Sequence, residues 1–394
     1  MASLTATPLV RDLCAVVRDL GAAPTTGEKA RATLRLIALS ALLLGGAWLY
    51  WRLPIGGAAI GAVLIAGVAY GLLLIATHEM VHGTLLGCRT LEPLLGCLLS
   101  WPMAWPYFTY ARLHHLHHRW NGCDSRDPER TTPLLQERLA AGPLRRLVQR
   151  HLLGWRVGVL GGVGLIVDVA HKGLLLQQQD QGLVRARFID GAGVTAVHTA
   201  MLLIALTQGE LGRYLLFWLL LERVIGAMVQ FRGMVEHHLL WRAGEAQLLT
   251  QLYTSRTINA GRWLNALLGG LPHHSAHHAF PAIPSERLPL ATRRIALVLE
   301  RHGAPPLPTV PNYGEALRLL IAAQNTPASA AVGRWRRHAG AMGGEGDHKR
   351  PIGLGAEGDA KATSAADALD FVAASPPAVG GTGHKAHPLV LKHR

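Results

Sequence analysis

Three groups of histidines carry the chemical potential of this chain. The first is His78-Glu79-Met80-Val81-His82-Gly83, an HxxxH pair at the end of a long apolar run. The second is His114-His115-Leu116-His117-His118, and the third is His273-His274-Ser275-Ala276-His277-His278. Residues three and four apart share one face of a helix. Each cluster can therefore aim several imidazoles one way: His78 with His82, His114 with His117 and His118, and His274 with His277 and His278. Imidazole is a common ligand for iron, zinc, copper and nickel. His78-Glu79-x-x-His82 also spells the zinc-protease signature, in which two histidines bind zinc and the glutamate is the base. That reading uses one zinc and one further ligand, and leaves both HxxHH clusters without a role. A tetrahedral zinc takes three or four protein ligands; the imidazoles here suit two metals better.

The elements that must position these groups are apolar. Of 394 residues, 49% are hydrophobic and 16% charged, and the apolar residues gather in runs. Such runs argue for membrane spans rather than one soluble core. Leu34 to Tyr50 and Ala58 to Thr77 form one pair of spans, with Pro54, Gly56 and Gly57 at the turn. Gly191 to Thr207 and Leu211 to Phe231 form a second pair, hinged at Gln208-Gly209-Glu210. Each is near the roughly twenty residues a bilayer requires. Leu91 to Trp101 is too short and reads as a re-entrant or interfacial helix. Trp101, Trp105, Tyr107 and Tyr110 lie close to the second histidine cluster, as interfacial aromatics or as the lining of an apolar passage. Leu152 to Ala170 is long enough to cross but carries Arg156 and Asp168. If it crossed, His237 and His273 to His278 would lie on the opposite side from His78. It is therefore expected to lie in the interface or against the bundle. Glu222 and Arg223 fall inside the last span and Arg232 at its very end, and ionisable residues there tend to face the bundle interior.

The fold expected is an all-α integral membrane protein with four transmembrane helices, interfacial helices and a cytosolic histidine-rich cap. The divisions are a cytosolic lead-in at 1–32, the membrane domain at 33–302, a cytosolic extension at 303–325 and a disordered, low-complexity tail at 326–394. Arg11, Arg18, Lys29, Arg31 and Arg35, and the arginine-rich stretch 119–150, put the histidine boxes and both termini on the cytosolic side. The net charge of +14 lies between apolar runs and suits an anionic membrane surface, not nucleic acid. Cys14, Cys88, Cys97 and Cys123 include no CxxC and imply no disulfide framework. The N-terminus lacks the pattern of a signal peptide. His338, His348, His384, His387 and His393 in the tail read as solvated side chains.

Taken in order, these segments resemble the integral-membrane fatty acid desaturase family, with its HxxxH, HxxHH and HxxHH boxes. The resemblance extends to Asp127-Pro128-Glu129 after the second box, to Arg232-Gly233-Met234-Val235-Glu236-His237 at the end of the last span, and to Ser255-Arg256-Thr257. It continues through Ala279-Phe280-Pro281, Pro284 and Leu288-Pro289 after the third box, and covers roughly Leu34 to Glu300. Ala279 stands where the family commonly has a larger apolar residue, and Leu271-Pro272-His273 is a less usual approach to the third box.

The resemblance implies a non-haem di-iron centre held by His78, His82, His114, His117, His118, His237, His274, His277 and His278. Glu79, Asp124 and Glu236 would accept imidazole N–H bonds, and His115 and His238 would stand just behind the ligands or at the interface. It implies O2 as co-substrate, a lipid or fatty acyl substrate, and a separate electron donor of ferredoxin or cytochrome b5 type. The activity implied is acyl-chain desaturation. Related membrane di-iron enzymes that hydroxylate alkyl chains or oxidise carotenoid rings are the alternative within the family. A membrane metal carrier is the alternative outside it, although carriers place their ligands near mid-membrane and these boxes lie at span ends.

Overall fold

The computed structural model describes residues 7–131, 137, 141–241 and 246–324. The tail expected at 326–394, with its five histidines, lies outside the described residues. Helix α1 (Pro8–Val17) is followed by α2 (Thr26–Arg52) and α3 (Gly57–Val81), the first hairpin of spans. Helix α2 starts well before its apolar run because Thr25 and Glu28 form a reciprocal capping box. The Thr25 hydroxyl accepts from Glu28 N at 3.3 Å, and the Glu28 carboxylate accepts from Thr25 N at 2.7 Å. The short helix α4 (Leu91–Ser100) and α5 (Tyr107–Trp120) follow. Helix α6 (Pro143–Arg150) precedes a π-helical arm, Gly154–Leu160, and α7 (Gly161–Leu175). The second hairpin is α8 (Gly182–Thr207) with α9 (Leu211–His237).

Among the described residues five helical runs are long and apolar enough to cross a membrane, one more than the four expected; the additional one is Gly154–Leu175. That run is not one rod. At Gly161 the backbone adopts φ 53°, ψ −142°, which ends the π-helical arm and starts α7 in a new direction. Helix α9 satisfies the polar groups freed at this break. Arg223 donates to the carbonyls of Val159 (2.8 Å) and Leu160 (3.0 Å), and Gln230 donates to that of Gly161 (3.1 Å). The Val163 N–H donates to the Glu222 carboxylate, which is itself paired with Arg223. Irregular backbone at membrane depth requires such protein partners. The arms then diverge to Arg156 and Asp168, which line one cavity although twelve positions separate them. Glu222 and Arg223, noted above inside the last span, thus hold a broken helix against the bundle, whereas Arg232 pairs with Glu236.

The two span hairpins turn at the same end. Arg213, at the start of α9, donates to the carbonyls of Tyr50 and Leu53, and Tyr50 Oη donates to Arg213 O at 2.8 Å. The other ends of α3 and α9 carry His78 and His237, so both deliver imidazoles to the same level. Close approach of α3 and α9 depends on Gly67 and Gly71. A Cβ there would stand 2.9 Å from Val224 Cβ and 2.7 Å from Met228 Sδ. Helix α3 is the most buried of the long helices, whereas Leu34, Leu44, Ile204 and Leu206 on α2 and α8 point apolar side chains outward, as lipid contact requires.

The cap consists of α10 (Gln247–Tyr253), β1 (Thr257–Ile258), α11 (Gly261–Leu267), α12 (His274–Ala279), α13 (Leu288–Arg301), β2 (Thr309–Val310) and α14 (Tyr313–Gln324). Strands β1 and β2 pair in parallel, Thr257 with Thr309 and Ile258 with Val310. Residues 303–324 of the segment read as an extension, 303–325, thereby contribute to the cap, where Val310 and Leu320 pack on Met234 and Val235 at the end of α9.

Asp190 of α8 fixes the second histidine helix. Its carboxylate accepts from Thr109 N (2.7 Å), Thr109 Oγ1 (2.8 Å), Phe108 N (3.2 Å) and Trp101 Nε1 (3.0 Å). It acts as the N-cap that α5, preceded by Pro106, does not supply locally. Asp190→Ala leaves these buried donors without an acceptor. It should lower stability by about 3 kcal/mol, visible as a reduced Tm in detergent.

Candidate metal centre

The nine histidines singled out above converge in the structure, in two groups. His78, His82, His114, His118 and His277 bring ring nitrogens within 4.8 Å of one another. His117, His237 and His278 do the same a short step away. His274 joins this second group, with its Nε2 at 2.9 Å from His237 Nε2 and 3.2 Å from His278 Nε2. The HxxHH spacing permits the division. On α5 the i, i+4 pair His114 and His118 turns to the first group, while His117 turns to the second. On α12 the assignment is exchanged: His274 and His278 face the second group and His277 the first. Positions i, i+3 and i+4 span about 100° of helix surface, wide enough to serve two centres. Stacked rings of His118 and His278, 4.4 Å between centroids, mark the boundary.

Second nitrogens define the direction of several rings. His114 Nδ1 meets Glu129 at 2.6 Å and His117 Nδ1 meets Asp127 at 2.7 Å. His278 Nδ1 meets Gln251 Oε1 at 3.1 Å, and His237 Nδ1 meets the Thr254 carbonyl at 3.3 Å. Each of these oxygens accepts, so each Nδ1 carries the proton and each Nε2 is left as a lone pair. His117 Nε2 is buried with no hydrogen-bond partner, as are both ring nitrogens of His78 and His277 Nε2. His114 Nε2 faces the Nε2 atoms of His82 and His118 at 3.1 Å each, although its proton is on the other nitrogen. Buried lone pairs turned toward one another are costly unless a cation lies between them. The donor set therefore fits two nitrogen-bound transition metals.

Electrostatics agree. Burial, and then the neighbouring imidazoles, hold His82, His118, His274, His277 and His278 well below the ordinary histidine range, neutral and able to bind metal. Burial would lower His117 also, but Asp127 and Glu129 outweigh it and push His117 up. Burial would raise Glu129, but His114 and His117 hold it well below the usual carboxylate range.

The carboxylates differ from those expected. Glu79 does not meet an imidazole. It is paired with Arg35 of α2 and accepts from Ser285 Oγ at 2.5 Å. One residue from His78, it is turned about 100° off the histidine face. Asp124 is likewise bound to Arg126, at 2.6 Å and near the surface. Glu236 does reach the centre: its Oε2 is 3.5 Å from His274 Nε2 and 3.3 Å from Arg232 Nη1. His115 is exposed, 5.9 Å from His82 between ring centroids, and the His238 carbonyl accepts from Arg256. Asp127 and Glu129, quoted above only as part of a motif, orient the rings instead, together with Gln251. The sequence signal was the acidic triplet itself, ten to fifteen residues beyond the histidines it serves.

Glu79 is a clip between boxes one and three. Gly269, with φ 59°, lies so close that a Cβ would stand 2.1 Å from Glu79 Oε1. Glu79→Gln should cost about 3 kcal/mol by breaking a buried pair, measurable as a fall in Tm, while folded protein retains its metal. Ser255 and Arg256 form a second clip. Arg256 donates to the carbonyl of Val235 and its N–H to that of Glu236 (2.9 Å), and Ser275 Oγ donates to the Ser255 carbonyl (2.9 Å). This joins the end of α9 to the third-box helix.

A family model described as fatty acid desaturase matches residues 54–309. This chain belongs to the fatty acid desaturase family. The match takes in all three boxes, His237 and both clips apart from Arg35. No curated protein matches the chain. As a member of the desaturase family with long apolar helices, it is a multi-pass membrane protein of a desaturase and oxygenase group, and an oxidoreductase. The zinc-protease reading of His78-Glu79-x-x-His82 fails on geometry, because the supposed base is engaged by Arg35 and Ser285.

Proposed function

We propose that the chain is an O2-dependent acyl desaturase with a di-iron centre. The observation that carries this reading is a cavity of about 1240 Å3, counting its open mouth, in front of the histidines. Of the histidines only His78 and His237 line it, one from each group. Leu74, Ile75, Leu113, Ile166, Val169 and Ile225 make its walls apolar, and Trp105 and Tyr110 flank the approach. An alkyl chain laid there presents its C–H bonds to both groups at once.

Bound iron would supply the one-electron redox chemistry that lets O2 attack an unactivated C–H bond. The chain's own residues supply the rest. His78, His82, His114, His118 and His277 would hold one iron, and His117, His237, His274 and His278 the other. Asp127, Glu129 and Gln251 keep Nδ1 protonated and Nε2 turned inward. The apolar wall orients two adjacent methylene groups and excludes water. Overall, –CH2–CH2– with O2, two electrons and two protons gives –CH=CH– and two waters. The electrons come from a separate donor of ferredoxin or cytochrome b5 type. Arginines between the apolar runs favour a cytosolic face for the histidines.

Expression in a host with a matching ferredoxin, followed by mass spectrometry of the lipids, tests the reading. Desaturation removes two hydrogens from an acyl chain. Addition of one oxygen would make the enzyme a hydroxylase or ketolase. Neither product, with iron correctly loaded, would remove the lipid substrate from consideration. Iron uptake independent of O2 and reductant would instead favour a metal carrier.

A further inference from the structure

Several ionisable side chains line the cavity, and all but one have a polar partner within hydrogen-bond or ion-pair distance. Lys172 meets Asp168 and the Pro128 carbonyl, both at 2.5 Å. Glu129 meets His114, Arg232 meets Glu236, and Glu222 is paired with Arg223. Arg156 is the exception: among the described residues no carboxylate stands within ion-pair distance and no acceptor takes its N–H groups. Asp168, on the facing arm, is the opposite charge that Arg156 feels, but it stands beyond ion-pair distance and is already engaged by Lys172. A guanidinium at this depth is unfavourable unless an anion or water meets it, and such residues mark substrate paths. Its position is also fixed. Arg156 lies on the π-helical arm, a backbone form that recurs at functional sites, and Arg223 and Gln230 hold the end of that arm through the carbonyls of residues 159 to 161.

We propose that Arg156 anchors the head group of the substrate, taking the anionic end of an alkyl chain, a carboxylate or a phosphate, while the chain runs along the apolar wall toward His78 and His237. The guanidinium fork matches either anion with two parallel hydrogen bonds. The Asp168–Lys172 pair is neutral as a unit, so the charge offered to the ligand is that of Arg156. The proposal rests on the reading of this cavity as an alkyl-chain site, and it makes the oxidised carbon one counted from the head group.

Binding to the purified full-length chain in neutral detergent tests this without turnover. A pyrene-labelled fatty alcohol serves as the displaceable probe; the competitors are hexadecanoate, hexadecyl phosphate and methyl hexadecanoate. One or both anions should displace it about tenfold better than the ester, the size of one charge-assisted bidentate contact. Preference for hexadecanoate alone assigns a fatty acid carboxylate, and preference for hexadecyl phosphate alone assigns a lipid phosphate. Arg156→Gln should abolish the preference and leave ester binding unchanged, and Arg156→Lys should keep part of it. Equal displacement by anions and ester in the unmodified chain overturns the anchor while the alkyl site stands. Equal weakening of anion and ester binding in Arg156→Gln also overturns it. Failure of every alkyl compound to compete overturns the anchor and the cavity reading together.

Discussion

His117→Ala and His277→Ala should each abolish turnover, and each should lower bound iron by about half, because each removes a donor from a different group. His117 belongs with His237 and His278, and His277 with His78, His82, His114 and His118. The two variants should therefore keep different metals. Iron analysis, with a spectroscopic signature of the ion retained, distinguishes them. His78→Ala should resemble His277→Ala, whereas His348→Ala, in the tail, should change neither activity nor iron. Full activity in His277→Ala would remove the site assignment. A common signature in both variants would mean that the histidines form one centre rather than two.

Asp127→Ala should weaken metal binding about 10–100-fold, the usual cost of removing a carboxylate that orients a ligating imidazole. The Asp127 side chain is fully buried, and its Oδ1 accepts both His117 Nδ1 at 2.7 Å and Glu129 N at 2.9 Å. Removal frees the His117 ring to rotate and loosens the segment that brings Glu129 to His114. Asp127→Asn keeps an acceptor and should recover part of the affinity. Competition with a graded set of chelators measures the change. Asp124→Ala is the control: its carboxylate holds Arg126 and meets no imidazole, so affinity should be unchanged. An equal loss in both variants would mean that the loop matters only as a whole.

Local sequence determined a great deal here. Apolar runs mark the paired spans because burying a helix in lipid requires some twenty apolar residues and little else. The nine histidines are legible because ligand chemistry restricts residue type and helical spacing restricts which ones converge. Side-chain direction across the chain is a different matter, and only the tertiary structure decided it. Nothing in the spacing of His114, His117 and His118 says that they divide between two groups; that division is decided by the imidazoles that α3, α9 and α12 bring against them. Glu79 and Asp124 looked like suitable partners for imidazole because they stand near histidines in sequence. A neighbour on a helix points about 100° away, and Arg35, Ser285 and Arg126 claim those carboxylates instead. The run 152–170 could be recognised as anomalous from its charges and glycines, but its break at Gly161 depends on Glu222, Arg223 and Gln230, some sixty residues later. Asp190 caps a helix eighty residues before it. Long-range hydrogen bonds of this kind leave no periodicity in the sequence, because their spacing is set by packing and not by the turn of one helix.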